Sequence, residues 1–74
     1  MAYEYPTTAG IIRLLRVGQC WAIEFDGCSN GRWHSPDGAV SAAAYHRTGL
    51  ASWDQTQVAV PDDLLRWRPL GDSL

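Results

Sequence analysis

The sequence predicts a small α+β domain. The expected architecture is an N-terminal helix and an antiparallel β-hairpin, packed by one central helix and a short C-terminal helix, with a third short strand in reserve. Three observations carry this. CWAIEF alternates apolar and polar residues with the period of a half-buried strand. Asp-Gly and Asn-Gly pairs follow it, as a tight turn requires. Two stretches, SPDG and VPDD, place Pro and then Asp where a helix begins.

The N-terminal helix is expected over residues 7–17, TTAGIIRLLRV. Thr7 or Thr8 is placed to cap it, Arg13 and Arg16 form its wet side, and Gly18 supplies a C-terminal stop. The β-branched residues and Gly10 leave a strand starting near Gly10 as the alternative. In residues 20–35, Trp21, Ile23 and Phe25 form one face of a strand, DGCSNG turns the chain, and GRWHS returns beside it with Trp33 toward the core. The central helix begins with Ser35 as cap, Pro36 in the first turn and Asp37 against the helix dipole. Alanines give it high propensity, and Gly49 is its expected end. QVAV, residues 57–60, reads as a short third strand or an extended segment. Pro61, Asp62 and Asp63 then open the short C-terminal helix, which Pro69 stops.

With 74 residues the chain has room for a single domain, residues 1–74, with residues 1–6 and 70–74 as flexible ends. A core of this size rarely yields more than roughly 3–5 kcal/mol. Apolar residues make up 46% and charged residues 19%, a globular balance rather than a disordered one. The net charge is −2, and all six cationic side chains are arginines scattered along the chain. That pattern disfavours nucleic acid, which needs clustered positive charge. The two cysteines, Cys20 and Cys28, are expected to be free thiols, because a strand rising about 3.3 Å per residue separates them. Free thiols, no signal-like opening and no long apolar run together suggest a cytoplasmic protein without a membrane segment.

Candidate chemistry is sparse. His34 and His46 lack the tight spacing of zinc ligands, so no metal or cofactor is expected. Ser35, Asp37 and His46 are the residue types of a hydrolytic triad, yet Ser35 and Asp37 are better used at a helix start. Cys28 beside Asp26 lacks the electropositive surroundings of a reactive thiol. A non-enzymatic protein is therefore expected. Of four tryptophans, Trp21 and Trp33 are assigned to the core. Trp53 with Asp54, and Trp67 between Arg66 and Arg68, are the candidate partner-binding residues, since Trp and Arg are enriched in interface hot spots.

The functional expectation is a small acidic protein-binding module, an inhibitor or adaptor of bacterial or phage type that occupies the surface of a larger protein. Two alternatives stand beside it. One is a ββα nucleic-acid-binding module in which Arg32 and Arg47, with Arg13 and Arg16, converge on one face. The other is an obligate homo-oligomeric structural protein, a homodimer among the options, that buries the aromatic surplus between copies.

Overall fold

Strand alternation, not helical period, governs the first third of the chain. The computed structural model describes residues 2–70. It contains β1 (Ala2–Thr7), β2 (Gly10–Val17), β3 (Cys20–Phe25), β4 (Cys28–Trp33), α1 (Pro36–Ala44), the four-residue α2 (Ala51–Asp54), a 3-10 turn (Leu64–Arg66) and β5 (Arg68–Leu70). The five strands form one antiparallel sheet in the order β4-β3-β2-β1-β5. The domain is thus mostly sheet with one substantial helix, which overturns the expected N-terminal helix plus hairpin.

The reason lies in residues 7–17. Thr7 closes a turn instead of capping a helix: its Oγ1 donates to the Gly10 carbonyl at 2.6 Å and accepts from the Ala9 N–H at 3.1 Å. Gly10 follows at φ 128°, a backbone state that a side chain resists. Beyond it Ile12 and Leu14 point inward and are fully buried, while Ile11, Arg13, Leu15 and Val17 take the opposite face. Apolar residues on both faces mimicked a helix that is apolar nearly all round. β-Branching at Ile11, Ile12 and Val17 favours the strand. Residues 2–6, expected to be a loose end, form with Thr7 the strand held between β2 and β5.

The expected hairpin is present as β3 and β4 with other bounds: Cys28–Asn30, expected in the turn, belong to β4, and His34 and Ser35, expected in the returning strand, lie beyond it. Phe25 pairs with Cys28 across Asp26-Gly27, whose φ values of 54° and 79° match the turn that best suits strand twist. Cys20 and Cys28 are both free. The expected start of α1 also stands: the Ser35 hydroxyl accepts from the Gly38 N–H at 3.1 Å, with Pro36 in the first turn. The helix ends at Ala44, before the expected Gly49, because His46 turns the chain at φ 57°.

Two further expectations change. Residues 57–60 join no strand of the sheet. The C-terminal helix shrinks to Leu64–Arg66, with the Asp63 carboxylate capping the Leu65 N–H at 3.0 Å. Pro69 does not stop a helix but lies in β5, an edge strand, where its missing N–H costs no ladder bond. Leu70 belongs to this strand, and the rest of the expected flexible end, residues 71–74, lies outside the described residues, as does Met1.

α1 packs on β2, β3 and β4 from one side. Ala39, Val40 and Ala43 meet Ile12, Leu14, Trp21, Ile23 and Phe25, and Trp53 and Trp67 complete this core. Small alanines let the helix lie close to the strands. Trp33 is half-buried against the same cluster.

Candidate functional site

The residues expected to bind a partner divide in three directions. Trp53 is fully buried, edge-on to Phe25 at 5.0 Å and stacked on His46 at 5.1 Å. Its indole N–H donates to the Ala43 carbonyl at 2.9 Å. Trp67 is 2% exposed, packs on Tyr5, and donates to the Pro61 carbonyl at 3.0 Å. Neither indole offers a contact face to solvent, contrary to the exposed patch expected around them. The competing demand was core volume: a 74-residue domain fills its interior with its largest side chains.

Asp54 is also committed inside the domain. Its carboxylate accepts from the Thr48 N–H at 2.9 Å, the Thr48 hydroxyl at 2.7 Å and the Gly49 N–H at 2.9 Å. Burial pushes its pKa up, but these hydrogen bonds and the nearby His46 charge outweigh burial and hold it below the ordinary value. Thr48 is fully buried, and its hydroxyl accepts in turn from the Leu50 N–H at 3.0 Å. His46 braces the same region: Nδ1 lies 3.2 Å from the Trp53 carbonyl and Nε2 2.9 Å from that of Val58. Aspartate, threonine and histidine here hold a loop together.

Arg68 turns to the sheet face opposite α1 and pairs with Glu4 at 2.9 Å. Arg66 is exposed on the 3-10 turn, beside the residue that sequence reasoning missed. Leu65 is 92% exposed, the most exposed large apolar side chain described. The available signal was the Leu64-Leu65 doublet: only one of two adjacent residues on a tight turn can face the core, and Leu64 does. The turn is held from both sides, by the Asp63 cap and by Trp67 anchored on Pro61.

Arg13 is within 3.4 Å of Glu24 and 3.8 Å of Glu4, and Arg16 donates to the Gly18 carbonyl. Arg32 lies near Gly49, two residues from Arg47. Arg47 helps line an open groove of about 510 Å³ with Trp33, Ser41, Ala42 and Tyr45. Among the described residues no three His, Cys, Asp or Glu side chains gather as metal ligands, and no helix is long and apolar enough to cross a membrane. In comparisons with known proteins, no family model, no curated protein and no solved structure matches the chain.

Proposed function

We propose that this chain is a small non-enzymatic protein-binding module of the cytoplasm, an inhibitor or adaptor that occupies the surface of a larger protein. One observation carries the reading: Leu65, 92% exposed, is held out from the domain on a braced 3-10 turn beside exposed Arg66. An apolar side chain presented on a rigid turn loses little entropy when a partner covers it. Burying a leucine contributes about 1.5–3 kcal/mol, on the order of 10- to 100-fold in affinity. The guanidinium of Arg66 suits a carboxylate beside the apolar pocket. Free Cys20 and exposed, free Cys28 fit a reducing compartment.

The test is affinity capture from host lysate with the wild type, Leu65→Ser and Arg66→Ala. A protein retained by the wild type at defined stoichiometry and lost from both variants supports the reading. If the wild type retains no specific protein, or the variants retain the same one equally well, it fails.

A further inference from the structure

The sheet face opposite α1 carries a pattern that the protein-binding reading does not use. Register places Arg68, Glu4, Arg13 and Glu24 in one row across β5, β1, β2 and β3. Consecutive members are joined by ion pairs of 2.9, 3.8 and 3.4 Å, so the row alternates plus, minus, plus, minus. A second row, two residues along the strands, contains Leu70, Ala2, Leu15, Ala22 and Gly31. Ile11 and Val17, 40% and 60% exposed, lie beyond these rows on β2. Ala22 is 5% exposed beneath its neighbours, and the other apolar residues on this face lie outside the core.

From these rows we propose that the face is an interface with a second copy of this chain. A row of four alternating charges is self-complementary. Consider a two-fold axis between two such sheets, parallel to the strands and above the boundary of β1 and β2. It sets Glu4 of one copy over Arg13 of the other, and Arg68 over Glu24, each twice. No like charges face one another. The same axis sets Ala2 over Leu15 and Leu70 over Ala22, large against small in both positions. Two-fold interfaces require such self-matching, and packed sheets align within about 30°. The charges fix register, and the apolar row supplies contact.

The axis overlays β5, β1, β2 and β3; three strands about 20 Å long and the three-residue β5 about 10 Å long, spaced about 4.8 Å apart, give roughly 340 Å² of flat area per copy. That is the scale of a concentration-dependent dimer, not an obligate one.

Sedimentation equilibrium of the full chain, from micromolar to about 1 mM, tests this. The wild type is expected to dimerise with concentration. Glu24→Arg and Arg68→Glu each create like-charge contacts at both ends of the row, so each alone weakens dimerisation at least about 10-fold. Their equimolar mixture restores association, because each variant opposes the other's charge. Leu15→Gln leaves the ladder intact and also weakens the dimer. Far-UV circular dichroism verifies that each chain is folded, and an unfolded charge variant leaves Leu15→Gln to decide. A wild type that stays monomeric at 1 mM overturns the inference. So does a dimer indifferent to Leu15→Gln, or two folded charge variants that fail to associate when mixed. Because Leu65 and Arg66 lie outside both rows, this test and the capture experiment fail independently.

Discussion

At the scale of single residues, polar side chains near α2 serve the loop more than any ligand. Asp54 satisfies three donors of Thr48 and Gly49 at once. Asp54→Ala strands those donors and is expected to cost about 2 kcal/mol by urea denaturation at pH 7. The pH dependence has a definite sign. The folded-state pKa of Asp54 is depressed, so its contribution is complete above the ordinary carboxyl value of 3.8 and fades as pH falls through the lower folded value. The stability difference between wild type and Asp54→Ala therefore narrows in acid; a gap that stays constant down to pH 2 contradicts this account. Ser52 is the opposite case. Its hydroxyl is buried with no hydrogen-bond partner. Ser52→Ala removes an unsatisfied polar atom and is expected to stabilise the fold by about 1 kcal/mol, seen as a raised urea midpoint.

Among the elements, those with a private local signal were legible. The β3–β4 turn announced itself in Asp26-Gly27, and α1 in Ser35, Pro36 and Asp37. β2 was not, because Ile11, Leu15 and Val17 are apolar on a face that carries no helix, and two apolar faces erase the period-two signal. β1 and β5 were hidden for another reason. β5 is a strand only because β1 pairs with it, Ala2 with Leu70 and Glu4 with Arg68, a contact that spans the whole chain, and β1 rests on β2, whose own strand signal was hidden. Of the candidate site, Arg66 was named from the sequence and Leu65 was not, because only tertiary packing turns Trp67 inward and Leu65 outward. The loop after α1 is equally a product of packing. Gly49 has φ +82°, and a Cβ there would lie 2.7 Å from Asn30 Nδ2, which donates to the Thr48 carbonyl. Gly49→Ala combines a left-handed backbone penalty with a broken loop-to-β4 contact. It is expected to cost about 2 kcal/mol, measured by denaturant midpoint against the wild type.

For the molecule as a whole, burial separates what supports the fold from what remains for a partner. The core of a domain this small rarely supplies more than roughly 3–5 kcal/mol, and removing one buried tryptophan costs about as much. Trp53 and Trp67 are both within that core. Trp53→Ala and Trp67→Ala are therefore expected to be largely unfolded at 25 °C, with loss of the far-UV signal, and any binding they lose reports unfolding. Leu65→Ser removes a side chain that is 92% exposed, so its unfolding midpoint should stay within about 0.5 kcal/mol of the wild type. A shared thermal and chemical denaturation series on the three variants checks the division. If Trp67→Ala folds normally while Leu65→Ser unfolds, the assignment of inward and outward residues is reversed. If the series falls as expected, Leu65 and Arg66 are the substitutions through which binding can be read without disturbing the fold that presents them.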